Sequence, residues 1–311
     1  MTDGAQRHSS RAIRSPVRWN WTVGWSFAFA VIALLFLGGL FALFLWESIP
    51  IWHHEGLRYF TGTHWFFRDK QFQTLPMLYG SAVVASVALV LAGPIGIGAG
   101  IFTSEYLPRR ARLAVKIVVE LLAGVPSVVY GLLGILFLRD WVYRALTPFD
   151  PLSGDTLLTA GLLLAVMVLP TVMTLTDDAF RGVPNAQRLA ARALGLTRTE
   201  AVFSIAIPQA APGIFAALLL GLGRALGETI AVFLVVGRQD NQWTRNIFSL
   251  KPLIAAGQTL TSKLGGSETN IAYGDSLHWA AVVALGLILL VVVAVITLIG
   301  AELERRSRAN A

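Results

Sequence analysis

The sequence has no cysteine and few charged residues, and each shortage excludes a class of protein. Without cysteine there are no disulfides, no thiolate zinc sites and no cysteine nucleophiles. Only 14% of the 311 residues are charged, whereas soluble domains contain about 25%. Disorder is excluded for the opposite reason, because 55% of the residues are hydrophobic and disordered chains need low hydrophobicity. A protein with several membrane-spanning segments remains.

Nucleotide-binding and metal-binding motifs are also missing. None of the four lysines follows a glycine, so the Gly-Lys-Ser/Thr of a P-loop does not occur. The five histidines lack the spacing of metal ligands. The glycine-rich runs 96–100 and 221–223 lie inside apolar stretches, where small residues typically serve helix packing. The sequence predicts that this chain binds no cofactor and no metal, has no catalytic residue and is not an enzyme acting alone.

Hydrophobic stretches long enough to cross a bilayer occur six times. A helix that crosses roughly 30 Å of hydrocarbon needs about 20 mostly apolar residues. The stretches are 26–46, 76–102 within the uncharged run 71–104, 117–138, 156–176, 214–236 and 276–301. Three of them contain Pro94, Pro126 or Pro170, which free backbone groups that a neighbouring helix or a cavity must satisfy. The sequence predicts an all-α polytopic membrane protein with six transmembrane helices.

Lys and Arg are unevenly shared between the two sides of this arrangement. The side that carries both termini holds 15 of the 25, the other side holds 9, and Arg224 lies in the membrane. Because cytoplasmic loops are enriched in Lys and Arg, both termini are predicted to be cytoplasmic. The net charge of +7 is thereby explained by topology rather than by nucleic-acid binding. The predicted regions are a cytoplasmic tail 1–25, a membrane domain 26–301 and a cytoplasmic tail 302–311.

The cytoplasmic segment 177–212 has the pattern of two short helices joined by a turn. Strong helix formers fill 186–194, and Gly195 follows as a C-terminal stop. Thr197 and Glu200 have the spacing of a capping box, which would begin a second helix that runs to Pro208. A protruding helical pair suits docking to a partner. The alternative is an amphipathic pair lying on the membrane surface.

Five residues of this segment fit a known pattern. They are Ala190, Ala191, Gly195, Ile207 and Pro208. In this order and spacing they resemble the EAA loop of ABC-importer permease subunits, in which Glu-Ala-Ala is followed by Gly and later by Ile-x-Leu-Pro. Leu189 stands where that loop has glutamate, so no carboxylate contact is carried over. The resemblance implies that segment 181–212 couples this chain to a separate ATPase subunit, which would supply the missing P-loop.

Two further motifs resemble one subgroup of ABC-importer permeases. Residues 120–131 read Glu-Leu-Leu-Ala-Gly-Val-Pro-Ser-Val-Val-Tyr-Gly, and residues 221–229 read Gly-Leu-Gly-Arg-Ala-Leu-Gly-Glu-Thr. Both are similar to signatures of phosphate-importer permeases of the PstC type, and residues 103–106 are similar more weakly. The likeness covers residues 71–236. It implies the type I ABC-importer permease fold and a function as the transmembrane permease subunit of an ATP-driven inorganic phosphate importer.

Arg224 and Glu228 are the candidate residues of the substrate path. They lie four residues apart in a predicted helix, so they would share a face and pair. A charge at the centre of a spanning helix costs about 2.5–3.5 kcal/mol on insertion scales, so it normally faces the bundle interior or a water-filled path. The planar guanidinium of arginine can donate two parallel hydrogen bonds to phosphate oxygens. Glu228 would pair with the Arg224 guanidinium when no phosphate is bound in the path. The alternative is a static ion pair that fixes helix packing.

Glu120 is a further candidate for the path. It lies in the third hydrophobic stretch, close in sequence to the basic loop that contains Arg112 and Lys116. Pairing with one of these two residues is an equally open interpretation, in which Glu120 has a structural role.

The resemblance also implies partners and a location. The partners are a second permease of the PstA type, two copies of an ATPase that uses ATP, a periplasmic or lipid-anchored phosphate-binding protein, and membrane lipid. The location is the bacterial inner membrane, and loop 237–277 is expected to face the binding protein. Two alternatives stay open: a permease for sulfate, molybdate or tungstate, and a membrane carrier or sensor outside the ABC class.

Overall fold

Helices make up nearly all of the regular structure. The computed structural model describes residues 21–243 and 251–309, with side chains as far as 306. In chain order the elements are α1 (Trp21–His54), α2 (Arg58–Thr61), β1 (Trp65–Phe66), β2 (Gln71–Phe72), α3 (Leu75–Glu105), α4 (Arg109–Ala123), α5 (Ser127–Leu133), a π-helical turn (Gly134–Leu138), α6 (Arg139–Leu146), a 3-10 turn (Thr147–Phe149), α7 (Leu157–Arg181), α8 (Asn185–Ala193), α9 (Arg198–Ala201), a second π-helical turn (Val202–Ala206), α10 (Ile207–Gly227), α11 (Ile230–Val235), α12 (Lys251–Ile254), α13 (Leu260–Leu264), α14 (Glu268–Ala272) and α15 (Ser276–Ala309). Of the predicted tails, 1–20 and 310–311 lie outside the described residues, while 21–25 and 302–309 are helical.

The chain divides into two compact units within α1. The first unit ends at Leu43, and its described part is the apolar stretch of α1 that begins at Trp21. Large side chains of this stretch, Phe29 and Leu34 among them, are exposed. The second unit, residues 44–311, contains all the other elements.

Among the described residues, five helical runs are long and apolar enough to cross a membrane. They are α1, α3, α7, the run 198–227 and α15. A sixth crossing forms only when α4 and the run 127–149 are counted together, because an 85° bend separates them. With that pair as one crossing, the prediction of six spans is confirmed. The third predicted stretch, 117–138, is a broken helix rather than a straight one.

The bend lies at the sequence Gly124-Val125-Pro126. The N–H of Gly124 closes α4 by donating to the carbonyl of Glu120, 3.0 Å away. Pro126 has an extended backbone, with φ −57° and ψ 138°, and directly precedes α5. Because proline lacks an N–H and disfavours helical conformation in the residue before it, one helix ends here and another begins.

The fifth span lies closer to the N-terminus than the predicted 214–236. α10 ends at Gly227, and Glu228 has an extended backbone with φ −73° and ψ 121°. At the other end the second π-helical turn joins α9 to α10, so the helix passes through Pro208 instead of ending there. Pro208 lies at the start of α10, just after this π-helical turn, where the helix already departs from the regular i→i−4 hydrogen bonds. The missing proline N–H therefore does not end the helix, and the expected stop was wrong.

The core of the second unit is built where α3, α7 and α10 pack through small residues. A Cβ added to Gly100 of α3 would lie 2.8 Å from the carbonyl oxygen of Met173 on α7. Added Cβ atoms at Gly96 and Gly221 would lie 3.0 and 2.9 Å from atoms of Val172. The prediction that these glycines serve helix packing is confirmed, because any larger side chain would push the helices apart.

α3, α7 and α15 begin at one end of the second unit, beside the antiparallel hairpin of β1 and β2. Phe72 of the hairpin stacks on His278 in the first turn of α15, with ring centroids 4.9 Å apart. Gly80, near the start of α3, lies against Leu157, the first residue of α7. We call this the hairpin end.

The same three helices finish together at the opposite end. Glu304 of α15 lines the same small cavity as Asp178 and Gly182, which lie at the end of α7. Glu105, the last residue of α3, contacts Arg188 of α8. We call this the coupling end, because it carries the segment 181–212.

Candidate functional site

The segment at the coupling end forms the predicted pair of helices. α8 closes at Gly195, whose φ of +84° is a left-handed conformation that glycine adopts without strain. The Oγ1 of Thr197 accepts the N–H of Glu200, and the Glu200 carboxylate accepts the N–H of Thr197 at 2.8 Å. The predicted glycine stop and capping box are therefore confirmed.

α8 is tied to the end of α3 by a salt bridge that the sequence did not predict. Nη1 of Arg188 lies 2.6 Å from Oε1 of Glu105, and Nη2 donates to the carbonyl of Phe180. The Glu105 side chain is only 7% exposed. A buried carboxylate needs a counter-charge, so this pair determines where α8 sits on the bundle.

The five residues predicted to couple to an ATPase lie in different environments. Ala190, Gly195 and Pro208 are exposed, whereas Ile207 is half-buried. Ala191 is 1% exposed and packs against the protein's own interior. The exposed residues remain candidates for contact with a partner, while Ala191 packs α8 against the rest of the protein.

Arg112 and Lys116 of α4 pair with the end of α7 rather than with Glu120. Nη2 of Arg112 lies 2.6 Å from Asp177, and Nζ of Lys116 lies 3.5 Å from Asp178. Glu120 is exposed and forms no salt bridge within the described part of the chain. Of the two interpretations of Glu120, the pairing with Arg112 or Lys116 is therefore wrong, because these basic side chains pair with the two aspartates near the end of α7.

Arg224 lies in the last turn of α10 and reaches across to α7. Its Nη1 donates to Oγ1 of Thr171 at 2.9 Å. Thr171 follows Pro170 near the middle of the 25-residue helix α7, so this contact lies well inside the apolar span. The Arg224 side chain is otherwise exposed on the surface of this chain. The guanidinium therefore keeps most of its donors available.

Glu228 does not pair with Arg224, contrary to the prediction from their spacing. The helix ends between them at Gly227, so the two residues no longer share a helical face. The Oε1 of Glu228 accepts the N–H of Ala231 at 3.3 Å and so caps the start of α11. The prediction was wrong because the helix ends at Gly227. The stretch is apolar on both sides of that residue, so hydrophobicity alone does not reveal the end of the helix.

The hairpin end contains a charged network around Lys263, whose side chain is 3% exposed. Its Nζ lies 2.8 Å from Asp240 and 3.0 Å from Glu268. The other oxygen of Glu268 accepts the indole N–H of Trp65 at 2.6 Å and lies 2.7 Å from Nε2 of His278. Buried charges require such pairing, so the network fixes β1, α13, α14 and α15 against one another.

The network also determines the ionisation of Glu268. Burial raises the pKa of this carboxyl, but the charge of Lys263 and the hydrogen bonds from Trp65, Lys263 and His278 outweigh it, so the pKa is lowered. Asn241 is engaged as well, because its Oδ1 accepts the backbone N–H of Trp65 at 2.6 Å. Within loop 237–277, residues 244–250 lie outside the described residues, and the expectation that this loop faces a binding protein stays a prediction.

The contacts that sequence reasoning missed join residues far apart in the chain. Glu105 with Arg188, Arg224 with Thr171, and the partners of Lys263 are three such cases. One signal was available: Glu105 and Lys263 are charged residues in otherwise apolar or small-residue surroundings, which favours burial with a partner. The identity of each partner depends on how the helices pack.

Residues 94–309 match the family described as the binding-protein-dependent transport system inner membrane component. The chain is 34% identical over 310 residues to a phosphate transport system permease protein, PstC 1, of Mycobacterium tuberculosis, with 89% of this chain and 88% of that protein covered. It is 33% identical over 284 residues to the PstC protein of Mesorhizobium japonicum, with 85% and 83% covered.

Solved structures of ABC transporters share the fold. A chain of the inward-facing MetNI methionine ABC transporter matches with a TM-score of 0.53 at 16% identity, covering 74% of this chain and 93% of that one. A chain of a bacterial alginate ABC transporter, solved with an alginate-bound periplasmic protein, matches with a TM-score of 0.51 at 17% identity, covering 93% and 95%. The fold is therefore that of type I ABC-importer permeases, and the chain belongs to the family of binding-protein-dependent transport system inner membrane components.

Proposed function

We propose that this chain is the transmembrane permease subunit of an ATP-driven importer of inorganic phosphate. The observation that carries the proposal is the identity of 31–34% to PstC proteins along about nine-tenths of the chain. The family match over residues 94–309 includes both the span that holds Arg224 and the segment at the coupling end. Transport would follow alternating access: ATP binding closes the ATPases and opens the path outward, and hydrolysis resets the inward-facing state.

The proposed complex contains partners for each task that this chain does not perform. Two ATPase copies would use ATP, since the sequence has no P-loop of its own. A PstA-type permease would complete the membrane part, and a periplasmic or lipid-anchored protein would deliver phosphate. The helices of segment 181–212 would dock on the ATPase, which is supported by the exposure of most side chains of α8 and by the salt bridge of Arg188 to Glu105.

Arg224 is the proposed contact for phosphate on the path. Its guanidinium is held by Thr171 through one Nη1 donor, which leaves a planar set of N–H groups for anionic oxygens. The exposed side of Arg224 would face the second permease, so the path would lie between the two subunits. Glu228 and Glu120 remain proposed path residues, Glu228 beside the break after α10 and Glu120 on the exposed face of α4.

The proposed location is the bacterial inner membrane, with both termini in the cytoplasm. Basic residues of three regions predicted to share one side lie at or near the coupling end: Arg112 and Lys116 on α4, Arg188 on α8, and Arg306 near the end of α15. The excess of Lys and Arg in cytoplasmic loops supports a cytoplasmic coupling end.

Reconstitution tests the proposal directly. This chain, a PstA-type permease, the ATPase and the phosphate-binding protein are placed in proteoliposomes, and uptake of labelled phosphate is measured with and without ATP. We expect ATP-dependent uptake that excess sulfate, molybdate or tungstate does not inhibit. Uptake that persists without ATP would indicate a carrier, and inhibition by another oxyanion would change the assigned cargo.

Substitution of the proposed path residue refines the test. Arg224→Gln should lower phosphate uptake at least tenfold, because both the positive charge and the paired N–H donors of the guanidinium are lost, while the ATPase remains bound. Arg58→Gln is the matched control, since Arg58 is exposed at the hairpin end and outside the spans. Full uptake by Arg224→Gln would remove this residue from the path.

A further inference from the structure

A basic surface cavity of about 330 Å³ lies at the coupling end, between the end of α3 and the helices α8 and α9. Its charged lining consists of Arg188, Arg192, Arg198 and Glu105. Because Glu105 neutralises Arg188 through their 2.6 Å salt bridge, two positive charges remain without a carboxylate. We call this feature the basic cavity.

The two remaining arginines are available to a partner. Arg192 is exposed and forms no salt bridge within the part of the chain that the structure describes. The guanidinium of Arg198 lies over the ring of Tyr106, 5.4 Å from its centroid, a position that fixes the group but leaves its N–H edge free. Glu200, the nearest acidic residue in sequence, is engaged in the capping box with Thr197.

Large apolar side chains of the same segment are also exposed. Leu189, which also lines the basic cavity, is 63% exposed, Leu194 is 81% exposed and Phe203 is 65% exposed. Exposed apolar side chains on the same segment as charges without a salt-bridge partner are typical of a surface that a protein partner covers.

We infer that the basic cavity receives a carboxylate side chain of the ATPase subunit, so that the docking groove of that ATPase is acidic and apolar rather than basic. The inference rests on the proposed function, which supplies the ATPase as the occupant of this end. Charge complementarity supports this chemistry: the guanidiniums of Arg192 and Arg198 have no carboxylate partner and lie beside the uncharged Leu189, so the cavity carries a net positive charge that an anionic partner complements. The charge pair would determine which ATPase this permease accepts.

Charge reversal in the complete transporter tests the inference. The complex is assembled in nanodiscs of phosphatidylcholine, which carry no net lipid charge, and the affinity of the ATPase for the membrane subunits is measured. Arg192→Glu should weaken that affinity about tenfold, because two carboxylates would then face each other. Arg110→Glu is the control, since Arg110 is exposed at the same end but lies outside the basic cavity.

Cross-linking identifies the partner group. Arg192→Lys keeps the charge and supplies a primary amine, which a carbodiimide joins to a carboxylate in contact. We expect a cross-link between this chain and the ATPase that Arg110→Lys and the wild type, with its native Lys116, do not give.

Three results would overturn the inference or its basis. Unchanged ATPase affinity in Arg192→Glu, together with no cross-link from Arg192→Lys, would show that no carboxylate occupies the cavity. Unchanged ATPase affinity with weaker binding of labelled inorganic phosphate to the permease would make the cavity an anion site instead. If the wild-type chain itself retains no ATPase, the proposed function fails, and that outcome is distinct from failure of the charge pair alone.

Discussion

Arg188 on α8 and Glu105 at the end of α3 form a salt bridge of 2.6 Å in which both side chains are mostly screened from water. The pair joins a membrane-spanning helix to the segment that is proposed to meet the ATPase. Removal of one partner of a buried pair leaves an uncompensated charge, and this is more costly than removal of both. The anchor is therefore sensitive to single substitutions.

Glu105→Gln should detach α8 from the bundle. The expected loss is about 3–5 kcal/mol in the free energy of unfolding, because the Arg188 charge stays partly buried without its counter-charge. Thermal unfolding in detergent and hydrogen exchange of residues 185–206 would measure it. The double variant Glu105→Met with Arg188→Met should recover part of the stability, and wild-type exchange in Glu105→Gln would disprove the anchoring role.

Gly195→Ala should destabilise the turn between α8 and α9. An alanine at φ +84° costs about 1–2 kcal/mol, and no atom lies within 4 Å of the added Cβ, so the cost is conformational rather than steric. Gly195→Asn should cost less, since asparagine tolerates this conformation. Gly98→Ala is the control, because Gly98 is helical and has equal space around it; an identical loss at both positions would contradict the explanation.

Thr171→Val should release Arg224 while preserving the shape of the side chain at position 171. The lost hydrogen bond is expected to cost about 0.5–1.5 kcal/mol in stability, and phosphate uptake should fall severalfold as the guanidinium loses its position. Thr171→Ser retains the hydroxyl and should transport like the wild type. Equal uptake by the valine and serine variants would show that the contact of 2.9 Å is not needed.

Two substitutions at Glu228 separate its charge from its capping contact. Glu228→Gln keeps an oxygen that can accept the N–H of Ala231, so stability should change little. Glu228→Ala removes the acceptor and should lower the free energy of unfolding by about 1 kcal/mol. If the carboxylate also acts in the path, both variants should lose phosphate uptake; retained uptake in Glu228→Gln would limit Glu228 to capping.

Acidification should weaken the network at the hairpin end through Glu268. Its lowered pKa means that the ionised carboxylate is more stable in the folded protein than in the unfolded chain. The resulting stabilisation is complete above the ordinary glutamate pKa of about 4.3 and is lost as the pH falls through the lower, folded-state value. Unfolding midpoints between pH 7 and pH 3 would measure this loss, which should be smaller in Glu268→Gln.

The number of spans and the coupling segment could be predicted because their signals are local. Apolar runs mark the helices, and the capping box of Thr197 and Glu200 needs only four consecutive residues. The left-handed Gly195 is likewise a local choice of backbone conformation. These features depend little on tertiary packing, so reasoning from sequence reaches them.

The boundaries and charge partners could not be predicted in the same way. The glycine break after Arg224 and the π-helical turn before Pro208 leave the apolar pattern unchanged, so the fifth span was misplaced. The structural interpretation of Glu120 considered only the bases nearest in sequence, whereas Arg112 contacts Asp177 on another helix. Helix packing decides which charged residues pair, and this packing cannot be inferred from a single sequence.

The continuous helical path 198–227 has a mechanical consequence. Its 30 residues correspond to about 45 Å at 1.5 Å per residue, with Arg198 of the basic cavity at one end and Arg224 near the other. No loop interrupts the path, so a tilt imposed at the coupling end acts as a lever on Arg224. Under the proposed function, movement of the ATPase would shift the guanidinium relative to Thr171 and so change its affinity for phosphate.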